Sequence, residues 1–360
     1  MKGFLRVLLA AAFSGAVGCT TDSGAVPEKG EVFVQGCKYP ERTPEGLHPR
    51  RFREDVLKMP MSELGLNPKN ATNTAGMALT FATPAKRFEA KFRILSINWM
   101  GARFGLYENG RFVKEFAFSR RDPREVGLEI VSKDSGCSTF EIVLPSYADV
   151  IFEGFDGAVP LKPVPAEVRD KKVYVALGDS ISHGMGQHGA SHATWPFLLA
   201  RELDCEGYNL AVGGARVSVP VARMLEDWDR IDLITILVGY NDLHASKKSP
   251  EQFAADYDKL LAALRVNHPE SAVYCITPLF TKKPLEKKTG HTIDEFRSAM
   301  ADVVERRRKT DPKLFLVRGE DLTSVADLRE DSPQDPVHLG LKGAAHFAKE
   351  MAKEIRSKEK

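Results

Sequence analysis

The second half of the chain alternates short apolar runs with helical segments, and this alternation restricts the fold more than any other feature of the sequence. Helix-start signals fall between the runs: Ser249 precedes Pro250, and Thr292 stands three residues before Glu295, as a capping box requires. Strands that alternate with helices form a parallel sheet with helices on both faces. We therefore predict a three-layer α/β domain over residues 172–360. Its strands are expected at Val173–Leu177, Tyr208–Val212, Leu233–Val238, Ala272–Ile276 and Leu314–Val317.

Residues 31–160 carry the pattern of antiparallel β structure instead. Between residues 88 and 94, apolar side chains alternate with polar ones, which is the two-residue period of a half-buried strand. Asn109-Gly110 separates two apolar runs and suits the positive φ angles of a type I′ hairpin turn. We predict an antiparallel β-sandwich here, joined to the α/β domain by a proline-containing linker over residues 161–171.

The first 30 residues have the features of an export signal and a tether. Lys2 and Arg6 form a charged region ahead of an apolar run over residues 7–17 that is too short to span a bilayer as a mature helix. Small residues and then Cys19 follow, which resembles a bacterial lipobox. We predict a signal peptide over residues 1–18, lipidation of Cys19 as the only attachment to a membrane, and a tether over residues 19–30. A plain secretory signal is the alternative. In either case we expect an exported protein, facing the periplasm or the cell surface if Cys19 carries lipid.

The charge of the chain is nearly balanced, with 51 Lys and Arg against 49 Asp and Glu. No basic surface for nucleic acid is therefore expected, and the predicted partner is a small-molecule or glycan ester substrate. No Cys/His spacing typical of a zinc site occurs, so we predict neither a metal nor another cofactor. The sequence leaves the oligomeric state open.

Several cysteines and histidines still invite a structural interpretation. Export permits disulfides, and Cys37 with Cys137 is the one pair that we predict within the β-sandwich. Cys275 lies in an apolar run and is expected to be a buried thiol. The three histidines between residues 183 and 192 are separated by glycines, so we predict a mobile loop there rather than a metal site.

A serine stands where the first parallel strand is expected to end. The motif Gly178-Asp179-Ser180 directly follows the apolar run at Val173–Leu177. A serine at a strand-to-helix turn exposes its hydroxyl, and its own N–H can point at a developing oxyanion. Gly, Asp and Ser are also common turn residues, so this motif alone does not establish a nucleophile.

Three further groups follow later strands or precede the last helix. Gly213-Gly214 follows the second strand and can bring a backbone N–H close to a substrate oxygen. Asn241 follows the third strand and can donate a hydrogen bond from its side chain. Asp335 and His338 stand three residues apart before the last helix, where a carboxylate and an imidazole can together activate a serine.

In this order, the four motifs resemble those of the SGNH (GDSL-type) hydrolase superfamily, which is named for its Ser, Gly, Asn and His. The resemblance implies a flavodoxin-like parallel sheet, with Ser180 as nucleophile and His338 and Asp335 as its activating pair. It also implies an oxyanion hole formed by Ser180, Gly214 and Asn241, with Gly213 as the alternative to Gly214. The N-terminal region is similar to the jelly-roll-like β domain that precedes the hydrolase domain in carbohydrate-esterase-like members.

The resemblance implies a serine esterase that hydrolyses short acyl esters, chiefly acetyl esters on carbohydrates, through an acyl-enzyme. A lipid or thioester hydrolase, or an acyltransferase that uses the same serine, is the alternative among enzymes. A surface carbohydrate-binding protein is the alternative outside them. The intact set of Ser180, Asn241, Asp335 and His338 argues against that last possibility.

Overall fold

The computed structural model describes residues 31–358, which form fifteen strands and eleven α-helices. The strands are β1 (Phe33–Gln35), β2 (Tyr39–Thr43), β3 (Gly46–Arg50), β4 (Ala78–Thr83), β5 (Arg87–Ile97), β6 (Ala102–Glu108), β7 (Arg111–Phe118), β8 (Glu125–Val131), β9 (Ser138–Val143), β10 (Ala148–Phe155), β11 (Lys172–Gly178), β12 (Cys205–Asn209), β13 (Leu233–Leu237), β14 (Ala272–Ile276) and β15 (Leu314–Val317). The helices are α1 (Glu54–Leu57), α2 (Met61–Leu64), α3 (Pro68–Ala71), α4 (Ala166–Arg169), α5 (Ser180–His183), α6 (Trp195–Glu202), α7 (Val219–Met224), α8 (Tyr240–His244), α9 (Pro250–Asn267), α10 (Ile293–Arg308) and α11 (Leu341–Lys358).

Strands β1 to β10 form the N-terminal sandwich of two antiparallel sheets. One sheet has the order β1-β4-β9-β6-β7 and the other has the order β2-β3-β10-β5-β8. The inner side chains of both sheets meet in one apolar core, as shown by the Phe92 ring on one sheet, 4.8 Å from the Phe104 ring on the other. The predicted antiparallel sandwich is confirmed.

The sequence period and the turn chemistry explain this domain locally. Along β5, the apolar residues Phe88, Ala90, Phe92 and Ile94 are buried, and the residues between them are more exposed. The β6–β7 hairpin turns at Asn109-Gly110, with φ values of 49° and 76°. Both angles are positive, as the predicted type I′ turn requires.

The C-terminal domain contains a parallel sheet in the order β12-β11-β13-β14-β15. Numbered within the domain, this order is 2-1-3-4-5, the flavodoxin-like arrangement. Helices α6 and α11 pack on one face of the sheet, and α9 and α10 pack on the other. The capping boxes that start α9 at Ser249 and α10 at Thr292 are both present. The prediction of a three-layer α/β domain is confirmed.

One strand of this sheet begins earlier than predicted. The apolar run at Tyr208–Val212 predicted the second strand, but β12 begins at Cys205 and ends at Asn209. β12 lies at the edge of the sheet and is only half-buried over most of its length, so its first residues need not be apolar. After β12, the N–H groups of Leu210 and Val212 still bond to carbonyls of β11 and lead the chain towards Gly213.

A segment of the N-terminal half packs into the C-terminal domain. Residues 51–76, between β3 and β4, contain α1 to α3 rather than a strand, which the sequence analysis did not anticipate. Their apolar side chains, including Phe52, Val56 and Leu64, belong to the same core as β11 and α9. The two domains therefore share buried apolar surface.

The cysteines differ in part from expectation. Cys37 and Cys137 do not form the predicted disulfide: Cys37 is buried and its thiol donates to the Arg50 carbonyl at 3.3 Å, whereas Cys137 is exposed. Cys275 is fully buried, as predicted, and burial raises the pKa of its thiol to about 12. Within residues 31–358, no helix combines the length and apolarity needed to cross a bilayer.

Candidate active site

Ser180 lies directly after the first strand of the parallel sheet. β11 ends at Gly178, and the short helix α5 begins at Ser180. Asp179 caps this helix, because its Oδ1 accepts a hydrogen bond from the Ile181 N–H at 2.9 Å. The turn leaves Ser180 half-buried at the carboxyl end of β11, where parallel α/β sheets place their ligands.

His338 connects Ser180 to Asp335. Its Nε2 lies 2.8 Å from the Ser180 Oγ, and its Nδ1 lies 2.9 Å from both carboxylate oxygens of Asp335. An ionised carboxylate only accepts hydrogen bonds, so Nδ1 carries the hydrogen and Nε2 is left to accept the serine proton. The structure thus brings together the predicted nucleophile, base and carboxylate in the order that a Ser-His-Asp triad requires.

The surroundings of Asp335 keep it ionised. Burial by itself raises the pKa of this carboxyl, but hydrogen bonds from the His338 ring and from backbone N–H groups hold it well below its ordinary value. The Asp335 Oδ1 accepts the N–H groups of Val337 at 3.1 Å and His338 at 3.0 Å. The same turn therefore orients the carboxylate and stabilises its negative charge.

The two candidate glycines of the oxyanion hole differ in their hydrogen bonds. The Gly213 N–H donates to the His183 Nδ1 at 2.9 Å and is therefore occupied. The Gly214 N–H makes no hydrogen bond within the part of the chain that the structure describes, and Gly214 is exposed. Of the two glycines, the geometry thus leaves Gly214 with the N–H available to a substrate oxygen.

Asn241 lies at the start of α8 and faces the same turn. Its Nδ2 donates to the Ala215 carbonyl at 3.0 Å and, over a longer distance of 3.3 Å, to the Asp179 Oδ2. Both hydrogens of the amide group are thus directed at protein acceptors, and the longer bond is the one that an oxyanion would have to replace or share. Burial raises the pKa of Asp179 to about 6.

His183, which the sequence predicted to lie in a mobile loop, supports the loop that carries Gly213 and Gly214. His183 is fully buried at the end of α5, and burial holds its pKa well below the ordinary value. Its Nε2 donates to the Ser146 carbonyl at 2.7 Å while its Nδ1 accepts the Gly213 N–H, so the ring is neutral. The Tyr147 ring stacks on it at 4.2 Å. Through His183, the β9–β10 turn of the sandwich contacts the loop that carries Gly213 and Gly214.

Arg51 is a second support that the sequence did not reveal. Its side chain is buried where residues 51–76 meet the parallel sheet, and it donates to the carbonyls of Asn73 at 2.6 Å, Asn209 at 2.8 Å and Ala211 at 2.7 Å. The last two carbonyls lie four and two residues before Gly213. Burial lowers the pKa of Arg51 to about 9, which leaves it charged at neutral pH. No sequence motif marked this residue, because its acceptors lie about 20 and 160 residues away.

The three histidines considered for a metal do not converge. His183 bonds to backbone groups, His188 lies 3.9 Å from Asp331, and His192 lies 3.1 Å from Glu115. Within residues 31–358, no group of three or more His, Cys, Asp or Glu side chains is arranged to hold a metal ion.

Residues 176–346 match the model of the GDSL-like lipase/acylhydrolase family. This stretch contains all of the residues that form the candidate site of the C-terminal domain: Ser180, Gly214, Asn241, Asp335 and His338. The C-terminal domain is therefore similar to the GDSL-like lipases and acylhydrolases. No curated protein sequence matches the chain at a significant level.

Solved structures share both domains. SsfX3, a salicylyl-acyltransferase from a tetracycline biosynthetic pathway, is 19% identical, with a TM-score of 0.78 over 92% of this chain and 96% of that one. A protein designated a GDSL-like lipase, from Bacteroides ovatus, is 18% identical, with a TM-score of 0.69 over 91% and 96%. A family two carbohydrate esterase from Clostridium thermocellum is 18% identical, with a TM-score of 0.60 over 79% and 93%. At these identities the likeness establishes the two-domain fold alone.

Proposed function

We propose that this protein is a serine esterase that hydrolyses short acyl esters through an acyl-enzyme. The observation that carries the proposal is the unbroken chain of contacts from the Ser180 Oγ through His338 to Asp335, at 2.8 and 2.9 Å. These are hydrogen-bonding distances at which the imidazole can take the serine proton without rearrangement.

The reaction follows from this geometry. Ser180 Oγ attacks the ester carbonyl while His338 Nε2 accepts its proton, and Asp335 stabilises the resulting imidazolium. The N–H groups of Ser180 and Gly214 and the side chain of Asn241 bind the oxyanion. His338 then returns the proton to the leaving alcohol, and the acyl group stays on Ser180. Water, deprotonated by the same imidazole, attacks the acyl-enzyme and releases the acid.

The substrate class that we propose is an acetyl ester on a carbohydrate. Two observations support it: the sandwich domain precedes the hydrolase domain as in the family two carbohydrate esterase from Clostridium thermocellum, and the nearly balanced charge suits a neutral substrate. An acetyl xylan esterase from the rumen bacterium Butyrivibrio proteoclasticus has the same fold, with 13% identity, a TM-score of 0.59 and coverage of 80% of this chain and 91% of that one.

Acetate release from a panel of acetylated sugars and p-nitrophenyl esters tests this proposal, with Ser180→Ala as the control. We expect the wild type alone to release acetate, fastest from acetylated glycans. Equal rates on long-chain esters would contradict the substrate class. Ester turnover that survives in Ser180→Ala would contradict the mechanism. Glycan binding without any ester turnover would favour a carbohydrate-binding protein.

Acyl transfer is the second candidate, favoured by the TM-score of 0.78 to the salicylyl-acyltransferase. The two activities share the acyl-enzyme on Ser180 and differ only in whether water or an alcohol attacks it. Adding sugar alcohols at increasing concentration during turnover distinguishes them. A hydrolase continues to release mainly free acid, whereas a transferase gives the new ester as its main product.

The export signal and the lipid anchor at Cys19 lie outside the described residues and are also proposed. Metabolic labelling with a radioactive fatty acid tests them in a bacterial host. We expect label on the wild type and none on Cys19→Ser. Export of unlabelled wild-type protein, cleaved before residue 19, would indicate a plain secretory signal.

A further inference from the structure

Arg329 packs against the segment that carries the catalytic pair. Its N–H donates to the His338 carbonyl at 3.1 Å, next to a bridge between Leu328 and Leu339. Its backbone therefore runs alongside that of the proposed base. Arg329 is only 9% exposed, although its guanidinium carries a full charge.

The side chain of Arg329 divides its charge between two carboxylates. Nε and Nη2 form a fork on Asp331, at 3.1 and 2.9 Å from its two oxygens. Nη1 reaches the Oδ2 of Asp335 at 3.4 Å. The Asp335 Oδ1 accepts two backbone N–H groups, so within the described chain the other oxygen has only Arg329 and the His338 ring as partners.

A neighbouring loop packs against the aliphatic part of the Arg329 side chain and against Leu339. Gly186 lies so close that a Cβ there would be 3.0 Å from the Arg329 Cγ and 2.3 Å from the Leu339 carbonyl oxygen. The Gln187 Nε2 donates to the same carbonyl at 2.7 Å. The Arg329 side chain is 8% exposed, and a shielded charge acts on its neighbours more strongly than an exposed one.

We propose that Arg329 is a positioning residue of the triad. Through its contact with Asp335, it reduces the negative charge that acts on the His338 imidazole. Asp331 in turn reduces the effect of Arg329. The inference rests on the proposed serine mechanism. A positive charge beside Asp335 offsets part of the negative charge that stabilises the protonated imidazole. It thus favours the neutral ring, the form that can accept the serine proton. Asp331 weakens this effect, because it neutralises part of the same guanidinium.

Other charged or titratable groups also face the pair. His188 lies 3.9 Å from Asp331, and Asp179 and Tyr240 interact electrostatically with His338 and Asp335, respectively. Lys282 reaches the same segment through two bonds: its Nζ donates to the Pro333 carbonyl at 3.0 Å and its N–H to the Pro336 carbonyl at 2.8 Å. None of these four is altered in the variants below, so the effects of Arg329 and Asp331 can be measured against a constant background.

The two carboxylate contacts predict opposite effects on the pH profile. Arg329→Met removes the positive charge, so the acid limb of kcat/KM should move to higher pH, by about half to one unit. Asp331→Asn leaves the guanidinium less neutralised, so the limb should move to lower pH by a smaller amount. Arg329→Lys keeps the charge without the fork, and should return the limb most of the way to the wild-type position.

The test uses the full chain and two readouts between about pH 5 and pH 8, the range over which histidine titrates. One is kcat/KM for p-nitrophenyl acetate, and the other is the rate at which a fluorophosphonate labels Ser180. Asp331 is 44% exposed, so Asp331→Asn is expected to fold even if Arg329→Met does not. Shifts of opposite sign support the inference. Shifts of the same sign, or an unmoved limb in Asp331→Asn, overturn it. If the wild type neither turns over esters nor reacts with the fluorophosphonate, it is the proposed function that fails.

Discussion

The two sides of the candidate site are supported by different parts of the molecule. On the acid–base side, Asp335 and His338 are oriented by hydrogen bonds from residues within ten positions of them, including Arg329, and further bonds to their segment come from loops of the same C-terminal domain. On the oxyanion side, the loop with Gly213 and Gly214 is held from the N-terminal half, through the β9–β10 turn and through Arg51. The comparison indicates that the sandwich contributes to the structure of the candidate site. It also explains why a short motif reveals one side and leaves the supports of the other hidden.

Breaking the acid–base side should have the largest effect. In Asp335→Asn, the amide cannot hold the Nδ1 hydrogen of His338 as a carboxylate does, so the imidazole loses the tautomer that accepts the serine proton. We expect kcat to fall about 10⁴-fold. Steady-state kinetics on p-nitrophenyl acetate measure this loss. Asp229→Asn, at an exposed site, is the matched control and should keep wild-type activity. A loss of less than tenfold in Asp335→Asn would show that the carboxylate does not orient the base.

Removing the buried arginine that supports the oxyanion side should lower the stability of the protein. Arg51→Met leaves the carbonyls of Asn73, Asn209 and Ala211 without their donor, so the free energy of unfolding should fall by about 3–5 kcal/mol. Urea denaturation measures the change. Arg42→Met, on an exposed residue of β2, should cost less than about 0.5 kcal/mol. Equal stability of the two variants would mean that the packing of residues 51–76 against the parallel sheet does not depend on Arg51.

The oxyanion donor itself comes next in size. Asn241→Ala should lower kcat by about 10²–10³-fold, equivalent to about 2.7–4 kcal/mol, with a small change in KM. The thermal midpoint should change little, since Asn241 is only half-buried. Kinetics and thermal unfolding together test this expectation. Full activity in the variant would contradict a role for the Asn241 amide in binding the oxyanion.

The smallest effect is expected at Asp179, where stability and activity should change in opposite directions. Burial raises its pKa to about 6. Between about pH 4 and pH 6, the folded protein therefore keeps a proton that the unfolded chain has released. Its contribution to stability therefore falls as pH rises through that window and stays low above it.

Asp179→Asn removes this buried charge and keeps an oxygen to accept the Ile181 N–H, but it withdraws the acceptor of Asn241. At pH 8 we expect the variant to be more stable than the wild type by about 1–2 kcal/mol and to have a lower kcat. The stability difference should shrink towards pH 4. A variant that is less stable at pH 8 would contradict the assignment of a destabilising buried charge. Urea denaturation at the two pH values provides the measurement.

The fold was predictable where local pattern determines it. The alternation along β5, the Asn109-Gly110 turn and the capping boxes of α9 and α10 all depend on neighbours in sequence. The start of β12 was missed because an edge strand does not need an apolar sequence. The packing of residues 51–76 and the separation of Cys37 from Cys137 depend on distant contacts that no periodicity records.

The same distinction applies to the site. Ser180, Asp335 and His338 stand at strand and helix ends, where a motif identifies them, and the structure brings them within hydrogen-bonding distance. Sequence left Gly213 and Gly214 as alternatives, because the choice depends on which N–H is already bonded to His183. Arg51 and Arg329 carry no motif of their own. Only the three-dimensional contacts show that one supports the oxyanion loop and the other touches the triad.

The central claim is that Ser180 is the nucleophile activated by His338 and Asp335. Peptide mass spectrometry after treatment with a fluorophosphonate tests it most directly. The account predicts one adduct, on Ser180, which forms in the wild type, is strongly slowed in Asp335→Asn and is absent from Ser180→Ala. An adduct on another residue, or ester turnover that persists in Ser180→Ala, would contradict it.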